Sequence, residues 1–159
     1  MGENVGTEEL LFMMKRISLD MTARMEKCLR YKDVTGVQIY LLVYILRHHP
    51  DGTYLTELCR EIGVTKPTIS ALIKKLREKG YLYFHEDPAD VRRKKVLQTA
   101  KLRVEGEKFL EKADRMETEI CSVLDDQEKA QLWRLEKKII LQFARMEHDE
   151  KSRQEVYLP

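Results

Sequence analysis

The chain has 159 residues, 43% of them hydrophobic and 35% charged, with a formal net charge of +2. That length can bury a core of its own, no apolar run approaches a membrane span, and the opening residues lack a signal-peptide pattern, so a cytoplasmic protein with no membrane role is expected. Three widely spaced cysteines, Cys28, Cys59 and Cys121, fit reduced thiols rather than a disulfide framework, and no glycine-rich phosphate loop, HExxH pair or nucleophile elbow points to an enzyme, a cofactor or a metal.

From residue 7 to about residue 31, Leu10, Met14, Ile17, Met21, Met25 and Cys28 recur every three or four positions, which predicts a first helix. Leu11, Met13 and Leu29 widen its stripe, and five of the seven methionines fall in the first 25 residues. Such a stripe needs an apolar partner, either core or a second copy, and methionine tolerates an irregular one. After a polar break, Asp33 or Thr35 caps a helix over about 37–48. Its run is apolar nearly all round, which predicts burial on most sides. His48 and His49 close it, where histidine suits the helix dipole. As metal ligands they would need partners, and the neighbouring sequence offers none.

Leu55, Leu58, Cys59 and Ile62 again repeat at helical spacing, and Gly63 follows as a stop. Thr65 then reads as an N-cap whose hydroxyl accepts from a first-turn N–H, with Pro67 in the first turn. Ile69, Leu72, Ile73 and Leu76 form the buried face of this helix, and Gly80 suits the left-handed position past its end. Two helices joined by a turn of about three residues make a helix-turn-helix, whose second member is the natural recognition helix. Off its buried face lie Lys66, Thr68, Ser70, Ala71, Lys74 and Lys75. Small hydroxyls reach base edges, and lysines neutralise phosphates.

Tyr81–Phe84 and Lys94–Gln98 read as two strands around an acidic-to-basic tip, with Asp87-Pro88 as a turn. The cations from Arg92 to Lys95 suit a wing lying along DNA. Arg92 would enter the minor groove, with Asp90 fixing its rotamer by an ion pair. Residues 65–101 carry ten Lys or Arg against four Asp or Glu, a local net of +6, which leaves −4 for the rest. A basic block between acidic flanks is the footprint of a nucleic-acid-binding face.

Thr99 opens a long helix over about 100–124, with Leu102, Phe109, Leu110, Ala113, Met116, Ile120 and Leu124 on its buried face and Gly106 permitting a close helix contact. Asp125-Asp126 breaks and caps. A last helix follows over about 126–148, with Leu132, Leu135, Ile139, Phe143 and Met146 on one stripe and a polar, frayed tail over 149–159. The apolar faces of the terminal helices exceed what one small lobe needs, so a second copy is expected.

This order of elements resembles the MarR family of winged-helix transcription regulators. The residues that carry the resemblance are Thr68-Ile69-Ser70-Ala71 in the recognition helix, Asp90-Val91-Arg92 in the wing and Gln98-Thr99 at the next helix start. Ala71 stands where the family often has arginine, and Leu102 where it often has glycine. The resemblance implies a mainly α fold with a small β-hairpin wing. Residues 36–99 would be the winged helix-turn-helix region, and residues 1–35 with 100–159 the helical dimerisation region. It implies a homodimeric repressor on a pseudo-palindromic DNA duplex. Thr65, Lys66, Pro67, Thr68, Ser70, Lys74, Arg92, Arg93 and Lys94 would make the interface. A small aromatic effector would sit near Met14, Met21, Tyr40, Tyr44 and His48. Two other readings remain open: oxidant sensing through Cys28, and a winged helix that binds protein instead of DNA, against which the basic wing argues.

Overall fold

The structure, a computed structural model, describes Gly2 and residues 4–157, and at positions 91, 92 and 157 it describes the backbone only. The elements run α1 (Thr7–Leu29), α2 (Gly36–His48), α3 (Leu55–Ile62), α4 (Lys66–Glu78), β1 (Leu82–Asp87), β2 (Asp90–Gln98), α5 (Ala100–Cys121) and α6 (Asp126–Tyr157). The fold is mainly helical with one antiparallel hairpin, as expected. It divides into two compact units, residues 1–116 and residues 117–159, with the division inside α5.

In the first unit the all-round apolar run of α2 places it at the centre. Ile39, Leu41, Leu42, Val43 and Ile45 are buried together with Leu58 of α3, Ile69, Ile73 and Leu76 of α4, and Leu102, Phe109, Ala113 and Met116 of α5. Each large side chain buried this way stabilises the fold by roughly 1.5–3 kcal/mol. Thr35 and Gln38 close a reciprocal capping box at the start of α2, with both bonds at 3.2 Å. Gly36 follows because nothing larger fits: a Cβ there would stand 2.1 Å from the Met25 backbone oxygen. Glu26 accepts from the Val37 N–H at 2.9 Å, so α1 is seated on the first turn of α2. Lys79 donates to Gln38 Oε1 at 3.0 Å, tying the end of α4 to the same corner.

Gly63 ends α3 in the left-handed region at φ 83°, which an L side chain adopts only with strain. Leu58 is fully buried, whereas Ile62, expected on the same face, is exposed. The Thr65 cap also differs from expectation. Its backbone takes the N-cap position, but its hydroxyl makes no capping bond and pairs with the Thr68 hydroxyl at 2.9 Å. A capping hydroxyl bonds the second or third helical N–H; Pro67 occupies the second position and has none, and the Thr68 side chain competes for the hydroxyl.

The hairpin is longer than expected. Residues 85–87 and 90–93 extend the two strands, and only Pro88-Ala89 turns, with Asp87 Oδ1 accepting the Ala89 N–H at 2.9 Å. Pairing runs in step from Leu82↔Gln98 to Glu86↔Lys94, then jumps to Asp87↔Asp90, so residues 91–93 are out of register. Such a bulge bends the strand and redirects its side chains. The base of the wing is fastened to the α2–α3 loop by a bridge between Thr53 and Val96. At the start of α5, the Thr99 hydroxyl donates to the Gly80 carbonyl at 2.7 Å and sits 3.3 Å from the Leu102 N–H. Gly106 admits Leu46, whose Cδ1 would lie 2.8 Å from an added Cβ.

In the second unit Asp125 and Glu128 form a capping box at the start of α6, with bonds of 2.8 and 3.0 Å. Helix α6 continues to Tyr157 rather than stopping near 148. The segment expected to fray is rich in opposite charges at helical spacing, such as the Glu147–Lys151 pair at 3.9 Å. Leu132, Leu135, Ile139, Phe143 and Met146 are all exposed. On α1, Leu10, Met14, Ile17 and Met21 are exposed as well, and the helix meets the core from Met25 onward.

Candidate nucleic-acid interface

The side of α4 away from the core carries Lys66, Pro67, Thr68, Ala71, Lys74 and Lys75 in the open, with Ser70 half-buried. The helix is short because Gly63 and Gly80 bracket it, and it is held from below by Ile69, Ile73 and Leu76. Thr65 and Thr68 present a bonded pair of hydroxyls at its N-terminus. Several of the residues named from the sequence therefore share one exposed helical surface.

The wing meets this surface. A cleft of about 250 Å³ is lined by Tyr54, Leu55 and Thr56 at the start of α3, Lys66 at the start of α4, and Phe84, Arg93 and Lys94 of the hairpin. The Arg93 guanidinium lies 4.3 Å from the Tyr54 ring centroid, and Arg77 lies 4.2 Å from that of Phe84. Each stacking holds a cation over an aromatic face, worth about 0.5–1 kcal/mol at an exposed site, and limits the rotamers that the cation must give up on binding. Tyr54 is the N-cap of α3 but makes no side-chain capping bond. The start of α3 lines a cleft rimmed by Lys66, Arg93 and Lys94, an arrangement suited to an anion. A second cleft, lined by Lys74, Arg77, Glu78, Leu82 and Tyr83, lies between the far half of α4 and β1.

Tyr54, Thr56 and Arg77 were not among the residues expected from sequence. The signal for the first two was the uncapped start of the first helix of the helix-turn-helix; the signal for Arg77 was its place one turn before Gly80. The side chain of Arg92 lies outside the described residues, and with it the expected minor-groove contact and ion pair to Asp90.

Of the effector candidates, the structure brings Tyr44 and His48 together, their rings 4.5 Å apart, and leaves Met14 and Met21 on the exposed part of α1. Tyr40 is half-buried on α2. The Tyr44 hydroxyl donates to Glu61 Oε2 at 2.7 Å, and burial followed by that carboxylate pushes its pKa up to about 12. Glu61 is held below the usual carboxylate range, first by its hydrogen bond with His49 and then by Tyr44. Tyr81 is raised further, by burial and by its bond to Glu105. His49, for which the neighbouring sequence offered no partner, bonds Glu61 at 2.7 Å and has Glu57 within 4.8 Å. The loop over 49–54 folds α3 back so that Glu57 and Glu61 face the end of α2, a contact that spacing along the chain does not show. Cys28 and Cys59 are half-buried against the core, and Cys121 is exposed.

Residues 32–93 match the family model described as the MarR family. Among solved structures, S. aureus MepR in its DNA-binding conformation is 27% identical, with 84% of this chain and 98% of that one covered at a TM-score of 0.73. The S. aureus MepR–DNA complex is 26% identical over 83% of this chain and 96% of that one, with a TM-score of 0.72. Bordetella bronchiseptica BpsR, whose regulation of DNA binding involves 6-hydroxynicotinic acid, is 19% identical over 82% and 98%, with a TM-score of 0.71, a likeness of fold. No curated protein matches the sequence. The winged helix-turn-helix thus carries the MarR-family pattern, and the fold is that of MarR-family transcription regulators, which are not enzymes. No helix among the described residues is long and apolar enough to cross a membrane.

Proposed function

We propose that this chain, whose residues 32–93 carry the MarR-family pattern, is a homodimeric, sequence-specific DNA-binding repressor released by a small aromatic effector. The observation that carries the reading is the convergence of a helix N-terminus and two cation-bearing elements on one rim. The start of α3, the N-terminal half of α4 and the wing meet at a cleft containing Lys66, Arg93 and Lys94. Acidic side chains are rare there, and protein interfaces tend to be depleted in lysine, so duplex DNA suits this surface better than another protein.

In this reading α4 enters the major groove. Thr65, Thr68 and Ser70 touch base edges with Pro67 packed close, while Lys66 and Lys74 hold phosphates. Arg93 and Lys94 grip the backbone beside the wing, and Arg92 probes the minor groove. The start of α3, with Tyr54 and Thr56, receives a phosphate. Residues 36–99 act as the DNA-binding region. Residues 1–35 and 100–159 act as the dimerisation region, because the apolar stripes on α1 and α6 stand exposed in the single chain and a second copy would cover them. The effector would lie beside Tyr40, Tyr44 and His48, with Met14 and Met21 as adaptable contacts, and would act by shifting the spacing of the two recognition helices.

Selection of bound duplexes from a random pool, followed by footprinting, tests this. The expected result is an inverted repeat with half-site centres about 34 Å apart, one helical turn. Enrichment of a single half-site, or of no sequence at all, would contradict a dimer that reads DNA through α4.

A further inference from the structure

We propose that His49, Glu57 and Glu61 form a binding site for a divalent first-row transition-metal ion of the zinc class, at the junction of α2 and α3. The site goes beyond the DNA-binding reading and does not depend on it.

His49 and the two glutamates each offer one ligand atom, and these atoms lie within 4.8 Å of one another. Ligands about 2.1 Å from a tetrahedral ion stand roughly 3.4 Å apart, so side-chain rotations of about an ångström close the shell. An imidazole nitrogen with two carboxylate oxygens is a donor set for zinc, cobalt or manganese rather than for calcium or magnesium, whose sites are all oxygen. Three protein ligands leave a position for water, so the ion would exchange.

The surroundings fit a cation. Glu57 and Glu61 stand one turn apart on the same face of α3, where two carboxylates repel unless a positive charge lies between them. His49 follows the last residue of α2, so it stands at the helix end whose carbonyls favour a cation. On α3 itself, Arg60 stands next to Glu61 in the chain and acts on it electrostatically. Both carboxylates are already oriented by a neighbouring hydroxyl. Thr53, only 1% exposed, donates to Glu57 Oε2 at 2.9 Å, and Tyr44 donates to Glu61 Oε2 at 2.7 Å. Such outer contacts fix the ligands of metal sites. The bonds described here engage Oε2 of each carboxylate, which leaves Oε1 for an ion. Glu61 Oε2 and His49 Nε2 are hydrogen-bonded at 2.7 Å, and an ion taking Nε2 would displace that bond. An ion so held would clamp α3, the first helix of the helix-turn-helix, to the central helix α2.

The test is calorimetric titration of Zn(II) into the metal-free chain with its thiols reduced, paired with Co(II) absorption as a report on the ligands. One ion per chain is expected, with affinity reduced at least about tenfold by Glu57→Gln and by His49→Gln. Glu111→Gln, an exposed carboxylate on α5, should leave it unchanged. Far-ultraviolet circular dichroism of each variant shows that loss of binding is not loss of fold, and Glu57→Asp, which keeps the carboxylate, should retain part of the affinity. Three results overturn the site. They are no saturable uptake, uptake unaffected by either ligand substitution, and strong thiolate-to-Co(II) charge-transfer absorption, which would put the ion on cysteine. A chain that binds DNA but takes up no ion overturns this inference alone. A chain that takes up the ion but does not bind DNA overturns the DNA reading alone.

Discussion

The winged helix-turn-helix and the terminal helices solve the same problem in opposite ways. Both are built from helices with one apolar stripe. In α3 and α4 the stripe closes on α2 within the chain, with Leu58, Ile69, Ile73 and Leu76 all buried. In α1 and α6 the stripe stays in water: Ile17 is 56% exposed and Phe143 58%. The closed lobe presents the cations and hydroxyls of α4 to solvent, and α1 and α6 present their apolar stripes. The first kind of surface suits a polyanion, and the second suits another apolar surface. On the function proposed above, the difference separates, within one chain, the face that reads from the face that pairs.

The largest effect should come from spoiling the pairing face. Leu135→Glu with Phe143→Glu places two charges in the α6 stripe. Sedimentation should then show a monomer, and DNA affinity should fall by about a hundredfold or more as two linked half-sites become one. A variant that still sediments as a dimer would place the interface elsewhere. The closed lobe should next respond to Gly36→Ala, whose Cβ has no room against the Met25 backbone. Overpacking of this kind should cost about 2 kcal/mol in denaturant unfolding, since the obstacle is main chain and cannot rotate away. On the reading face, Arg93→Ala should weaken DNA binding about tenfold and lower the salt slope by about one, with the dimer intact. The smallest effect should come from Thr99→Ala, which removes the cap of α5 and should cost about 1 kcal/mol of stability without changing the salt slope.

The closed lobe was largely legible in the sequence because its signals are local. The repeats of α3 and α4, the stops at Gly63 and Gly80, and Thr99 as a helix opener each involve residues within a turn or two of one another. Where signals compete, legibility fell. Thr65 reads as a capping hydroxyl until Pro67 and Thr68 are considered together. The hairpin reads as short because residues 85–93 are mostly charged and show no apolar alternation, yet backbone pairing and the anchor at Thr53 extend it. Helix α6 reads as ending near 148 because its apolar stripe ends there, while opposite charges carry the helix on. The stacking of Arg93 on Tyr54 and the approach of Glu57 and Glu61 to His49 are tertiary, and no spacing rule along the chain contains them. The MarR-family likeness seen in Thr68–Ala71 and Asp90–Arg92 falls within the match over residues 32–93, and Gln98-Thr99 lies outside it.

The most direct measurement of the central claim is fluorescence anisotropy of the full chain on the duplex upstream of its own gene, with random duplex as competitor, between about 50 and 200 mM salt. Tight, competitor-resistant binding that loses at least about a thousandfold across that range is the expected result for a surface making six or more phosphate contacts. No binding at the lowest salt would contradict the account, and would leave the cationic rim of α3, α4 and the wing as a surface for something other than DNA.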